Sequence, residues 1–300
     1  MNFIEYLTEY SDCRALAIAP RTYETEKRII KLYIAPIIDN TLQVEHVQIQ
    51  DIIAILQPPY TAGHTRTAEQ IYIYLKAASK TNEHYHSIME KIQKPRHYTK
   101  QSSFLEPDEL QKLIAAANGY MKIVLILCGI YGLRRGEVCG LQWRDISAAS
   151  ITIKRQKQTI NGVTVTTPLK TQSAYRTLPL TEELRKALMP AIQARENIEC
   201  TQNDFLIQVK PNALNQALYK LCEKTGVKKI GVHALRHTAA SIAINYGNTN
   251  LKVVQTILGH SSVTTTAQIY SHVNQKAIEN TLKNSINNLT LNQGVQGSSP

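Results

Sequence analysis

The residues best suited to chemistry lie towards the end of the chain. Gly231-Val232-His233-Ala234-Leu235-Arg236-His237-Thr238 is followed by Leu258-Gly259-His260-Ser261-Ser262, and then by Ile269-Tyr270-Ser271-His272-Val273. Arginine presents a planar fork that matches two oxygens of a phosphate, and imidazole gives or takes a proton near neutral pH. A tyrosine beside such a cationic cluster is a candidate covalent nucleophile towards a phosphodiester. On a helix starting near His233, residues Leu235, Ala239, Ile242 and Tyr246 recur at i, i+4, i+7 and i+11 as one apolar stripe. This spacing puts His233 and His237 on the opposite side and Arg236 on the flank, so the polar trio is expected to face away from the core. A second helical run places Leu251, Val254 and Leu258 on one face. It is expected to stop at Gly259, in a C′ position, with His260 just past the end.

Each piece also has an ordinary structural reading. The chain holds 15 tyrosines, most of which must be core or surface residues, and a His-x-x-Arg on a helix is otherwise a solvated face. His233 and His237 also share the i, i+4 spacing of the zinc helix His-Glu-x-x-His. Ala234 stands where the catalytic Glu belongs and no third-ligand motif follows, which sets zinc hydrolysis aside.

Taken together, His233-x-x-Arg236, Leu258-Gly259-His260 and Tyr270 resemble the second conserved box of the tyrosine recombinases, the phage-integrase family. Tyr131-Gly132-Leu133-Arg134-Arg135-Gly136-Glu137, continuing to Leu141-Gln142-Trp143-Arg144-Asp145, is similar to the family's first box. By this match Arg134 takes the catalytic arginine position. Glu137, three residues on, is close enough along a helix to orient its guanidinium. Between the boxes, Lys170-Thr171-Gln172-Ser173-Ala174-Tyr175-Arg176 runs on to Pro179-Leu180 and resembles the family's hairpin segment, which gives Lys170 the mobile catalytic lysine's place.

The resemblance implies a mechanism. Tyr270 attacks the scissile phosphate and forms a 3′-phosphotyrosyl bond, while Arg134 and Arg236 clamp the non-bridging oxygens. Lys170 protonates the departing 5′-oxygen, His233 assists proton transfer at the tyrosine, and His260 hydrogen-bonds the phosphate. Such chemistry needs no metal, ATP or other cofactor, because the covalent link stores the bond energy. The implied partners are double-stranded DNA carrying attachment or recombination sites and, on paired sites, a homotetramer. Accessory DNA-bending or excisionase proteins are possible additions.

Length and composition fit this picture. Three hundred residues suit two domains, and 43% apolar content is enough for real cores. Residues 1–103 hold 12 Lys and Arg against 11 Asp and Glu, whereas 104–300 hold 22 against 12, so the net charge of +11 is concentrated in the second part. A confined basic excess suggests a polyanion partner there. No apolar run is long enough to span a membrane, no signal-peptide pattern opens the chain, and the five scattered cysteines read as reduced thiols. A cytoplasmic, DNA-associated protein is expected.

The expected fold is mainly α with a small antiparallel sheet. Residues 1–93 read as a helical bundle, by resemblance the SAM-like core-binding domain. Within it Ile49, Ile52, Ile53 and Leu56 form one apolar face and Ala68, Ile71, Tyr72 and Leu75 another, with Pro58-Pro59 separating two helices. Residues 94–103 read as a basic linker, 104–286 as the mixed α+β catalytic domain, and 287–300 as a disordered tail. Ser150 to Gln156 reads as one strand, and Asn161-Gly162 as the turn of a hairpin. A helix over 277–286 would close the domain, with Ile278, Leu282 and Ile286 on its apolar face. There is no room ahead of the bundle for the arm-binding domain of many phage integrases, so an Xer-like resolvase role stands beside integration or excision. Two further classes fit the chain less closely. A tyrosine-type topoisomerase would relax supercoils without pairing two sites, and a non-catalytic DNA-binding regulator would have no use for the complete residue set.

Overall fold

The structure is a computed structural model that describes residues 1–97, 104–160, 162–196, 201–246 and 250–259. The chain folds as two compact units, the first Met1–Gln101 together with Ile160–Gly162 at the tip of a later hairpin, the second the remainder.

The first unit is helical: α1 (Phe3–Cys13), α2 (Pro20–Ile29), α3 (Ile49–Thr61), α4 (Thr65–Ser79) and α5 (Glu83–Glu90). Asn2 opens α1 with a capping box, accepting from the Glu5 N–H at 2.8 Å while the Glu5 carboxylate takes the Asn2 N–H. A π-helical turn over Ile30–Ile34 extends α2, ending two residues before Pro36. Phe3, Leu7, Ile52, Ile71, Leu75 and Tyr85 make the centre of this unit's own core. Of the face expected on α3, Ile52 and Leu56 are buried but Ile53 is 46% exposed, and Ile55 takes its place inside. Pro58 and Pro59 lie within α3 rather than between helices. A proline costs one main-chain bond, but packing of the Ile52–Ile55–Leu56–Pro59 face against α4 carries the helix through. The chain turns only at Gly63, where φ is +78°.

In the second unit, α6 (Pro107–Ala116) and α7 (Gly119–Gly129) lead to the short α8 (Arg135–Gly140). Four strands follow, β1 (Ser150–Ile153), β2 (Arg155–Ile160), β3 (Val163–Pro168) and β4 (Arg176–Pro179). Then come α9 (Glu182–Glu196), α10 (Pro211–Thr225), α11 (Val232–Asn245) and α12 (Leu251–Leu258). Helix α7 is apolar on every side and buried from Ile123 to Gly129, so α6, α9 and α11 assemble around it.

The stretch from Ser150 to Gln156 is not one strand. It breaks at Lys154, and two small antiparallel pairs result, β1 with β4 and β2 with β3. Ile151 and Ile153 are fully buried and hold β1 in register with β4, Ile151 opposite Leu178 and Ile153 opposite Arg176. Strand β2 has no such inward row and pairs within its hairpin, turned by Gly162 at φ +77°.

Helix α8 rests directly on the β2 main chain. A Cβ at Gly136 would lie 2.8 Å from the Lys157 carbonyl oxygen, and one at Gly140 would lie 2.7 Å from that of Arg155. Gly140→Ala should therefore destabilise this unit by about 1–3 kcal/mol through overpacking. Denaturant unfolding checks this, and a change below about 0.5 kcal/mol would contradict the close approach.

Candidate active site

Three segments build the site: the turn before α8, the N-terminal half of α11, and the junction of the 172–174 turn with the end of α12. The turn Tyr131-Gly132-Leu133 depends on Gly132, whose φ is +67° and where an added Cβ would lie 2.3 Å from a Leu258 methyl. Only glycine fits there. Arg134 follows as the residue that caps α8, and its N–H donates to Glu137 Oε2 at 2.9 Å. Its Nη1 donates to Glu137 Oε1 at 2.7 Å, so one carboxylate fixes both the main chain and the guanidinium. The Arg134 side chain remains 35% exposed, and its Nη2 approaches the Gly259 carbonyl at 3.4 Å.

Glu137 is 1% exposed. Burial alone would raise the pKa of its carboxyl. The Arg176 guanidinium, and after it Arg134, overcome that and hold it below the usual carboxylate range. The carboxylate is thus shared by two arginines, with Arg176 Nη2 donating to Oε2 at 2.9 Å.

Arg236 departs from the expectation that it faces away from the core: it is 4% exposed. Residues of α11 are buried on nearly all sides between Val232 and Ser241, because α7 and α12 both pack on this helix. The apolar stripe defines one wall and cannot reveal the other. Tyr246, placed on that stripe by spacing, is 48% exposed and donates its hydroxyl to Glu106. Arg236 Nη1 donates to the Gly132 carbonyl at 2.7 Å, tying α11 to the turn that carries Arg134. Its Nη2 is buried and has no acceptor among the described residues. Burial first, and the neighbouring Arg134 second, push the Arg236 pKa down to about 9, which still leaves it charged at neutral pH.

His233 is exposed and His237 half-buried, with ring centroids 5.1 Å apart, edge to face. Desolvation by the surrounding protein pushes the His233 pKa down to about 4, and His237, Arg236, Arg134 and Arg135 add to the effect. The imidazole is therefore neutral at pH 7 and able to accept a proton.

The structure thus brings Arg134, Glu137, His233 and Arg236 together. Lys170 is exposed, just ahead of the 172–174 turn. That turn abuts the end of α12: a Cβ at Gly259 would lie 2.9 Å from the Ser173 carbonyl oxygen. Gly259 does end α12, in the left-handed region at φ +66°. His260 and Tyr270 lie outside the described residues, as do the segments 261–300 and 98–103. Sequence reasoning missed Arg176 as a member of this cluster. Its signal was present in the alternation of β4, which buries positions 176 and 178 and so sends a charge inward.

Among the described residues no three His, Cys, Asp or Glu side chains gather in a metal-holding group, and no helix is long and apolar enough to cross a membrane. What gathers is three guanidiniums around one carboxylate, with one donor still lacking an acceptor. The sequence profile of the phage integrase family matches residues 103–277, the span that contains all of them.

The chain belongs to the phage integrase family, the tyrosine recombinases. It is a site-specific DNA recombinase. A tyrosine recombinase of Pseudothermotoga lettingae is 29% identical to it over 81% of this chain and 84% of its own length. Tyrosine recombinase XerC of Caldanaerobacter subterraneus subsp. tengcongensis is 26% identical over 83% and 70%. Among solved structures, the Tn1549 transposon integrase in complex with transposon right end DNA superposes with a TM-score of 0.74. It covers 93% of this chain and 98% of its own at 21% identity. A lambda integrase dimer bound to a COC′ core site gives 0.66, over 90% and 77%, at 19% identity. These superpositions show the recombinase's fold, in which helices dominate and the strands are few.

Proposed function

We propose that this recombinase cuts and rejoins double-stranded DNA for the integration or excision of a mobile element, with Tyr270 as nucleophile and the Arg134–Arg236 pair as phosphate clamp. One observation carries the assignment of the clamp. Arg236 is buried and charged, with one donor that finds no acceptor among the described residues, beside an Arg134 whose guanidinium is aimed by Glu137. A desolvated cation is costly unless something anionic completes it, and two forked donors match the non-bridging oxygens of a phosphodiester.

In the proposed step the Tyr270 oxygen bonds to the scissile phosphorus as the bond to the 5′-oxygen breaks. The phenol proton passes towards neutral His233, and Lys170 delivers a proton to the leaving 5′-oxygen. Rejoining runs the same steps backwards with a 5′-hydroxyl of the partner strand. His260 adds a hydrogen bond to the phosphate, and a homotetramer on paired sites brings the two strands together. Accessory DNA-bending proteins would then set direction. The likeness to the Tn1549 transposon integrase supports the mobile-element role, as does 26% identity to the ICEBs1 integrase of Bacillus subtilis over 58% of this chain. The XerC relatives support the competing Xer-like resolvase role. Recovering junctions between an element's ends and its host DNA after expression of the recombinase tests the choice; products only from directly repeated sites on one replicon would favour resolution.

The depressed His233 pKa has a pH consequence. A bound phosphate places negative charge beside the imidazole and raises its pKa from about 4, so His233 stays neutral at pH 7 while DNA binding takes up a fraction of a proton as pH falls towards 5. Affinity should therefore rise as pH falls from 7 towards 5, by less than about tenfold per pH unit for one proton. His233→Gln should flatten this slope. Fluorescence anisotropy at fixed salt reads it, and equal slopes for the two proteins would contradict the placement of His233 at the phosphate.

A further inference from the structure

Arg176 makes three side-chain hydrogen bonds, and each goes to a different part of the site. Nη2 reaches Glu137 Oε2 at 2.9 Å, Nε the Ile257 carbonyl at 2.7 Å, and Nη1 the Ala174 carbonyl at 3.0 Å. The first acceptor is the carboxylate that aims Arg134. The second is a carbonyl in the last turn of α12, two residues before Gly259. The third closes the turn that follows Lys170. The Arg176 side chain is 5% exposed, and a Cβ at Gly259 would lie 3.1 Å from its Nη1, so the guanidinium is walled in and cannot swing out to a substrate.

Charge points the same way. Without Arg176, Arg134 and Glu137 form a neutral pair, and a neutral pair is a weak anchor for a phosphate. With it, the group of Arg134, Glu137 and Arg176 keeps a net positive charge while Glu137 stays locked in place. Arg176 also outweighs Arg134 in holding the Glu137 carboxyl below its usual range.

We infer that Arg176 is a positioning residue for strand cleavage: it holds Glu137 so that Arg134 points at the phosphate, and it ties the Lys170-bearing turn and the end of α12 to the same carboxylate. The inference rests on the reading of Arg134 as part of the phosphate clamp. A positioning residue of this kind acts on the reaction rate and leaves the grip on the duplex nearly unchanged.

The test measures two quantities for the full chain: duplex affinity by anisotropy, and the rate of covalent adduct formation on a nicked suicide duplex at saturating protein. Arg176→Met should slow adduct formation about 10²-fold, comparable to the loss of a charge-stabilising donor, with affinity within about threefold. Arg176→Lys keeps the charge but loses the fork. It should recover part of the rate, remaining about tenfold below the parent chain. An unchanged rate in either variant overturns the inference, as does a parallel fall in affinity and rate. If the Met variant does not fold, the Lys variant alone decides by the same two criteria. Arg134→Lys serves as the control for the underlying reading. If it cleaves at the parent rate, the clamp assignment has failed; if it is slow while Arg176→Met is not, only the inference about Arg176 has failed.

Discussion

Arg236→Ala should lower the rate of covalent cleavage about 10²–10³-fold, the usual loss for one preorganised donor facing developing negative charge. The expected size follows from its surroundings. Arg236 is 4% exposed, so its charge sits in a setting of low dielectric, where its attraction for a phosphate is far less screened than in water. Its other donor is held by the Gly132 carbonyl at 2.7 Å, so the fork is already oriented before DNA arrives. Lysine is no substitute, because a single ammonium cannot serve both the carbonyl and a phosphate oxygen in that geometry. Folding should survive the change, since a buried charge with an open donor contributes little net stability. Adduct formation on a nicked suicide duplex measures the effect, with circular dichroism as the check on folding. A rate within about tenfold of the parent would remove Arg236 from the clamp.

Tyr270→Phe should have the larger effect, a complete loss of covalent adduct with duplex affinity nearly unchanged. The phenol oxygen is the atom proposed to become bonded to phosphorus, so its removal takes away the nucleophile itself, whereas a missing clamp donor leaves partial catalysis. The chain has 15 tyrosines, so the assignment needs its own check. Digestion of the wild-type adduct should leave the nucleotide on the peptide containing Tyr270. An adduct formed by the Phe variant, or mapped to another tyrosine, would move the nucleophile elsewhere.

Much of the site was legible in the sequence because its residues sit at positions where local rules operate. Gly259 ends α12 in the left-handed conformation that its place after Leu258 predicts, and Glu137 lies one helical turn beyond Arg134 and bonds to it. Gly162 turns the hairpin for the same kind of reason. What could not be read locally was burial set by distant segments. Arg236 looks like a flank residue until α7 and α12 close over it, and Ile53 looks like a core residue until Ile55 takes the inner position. The prolines of α3 illustrate the limit of propensity, because packing along the rest of the helix outweighs the two missing main-chain donors. Arg176 was overlooked because its partners, Glu137 and Ile257, are 39 and 81 residues away in sequence.

Each unit encloses an apolar interior of its own, one around Phe3, Ile52 and Tyr85 and the other around α7. Cooperativity is inherited from a shared interior, so nothing obliges the two halves to melt at the same temperature. A calorimetric trace of this chain is then expected to hold two endotherms, and a single transition with equal calorimetric and van't Hoff enthalpies would contradict it. The effect of a substitution belongs to the endotherm of the half that carries it, and a single midpoint for the whole chain would blur the two.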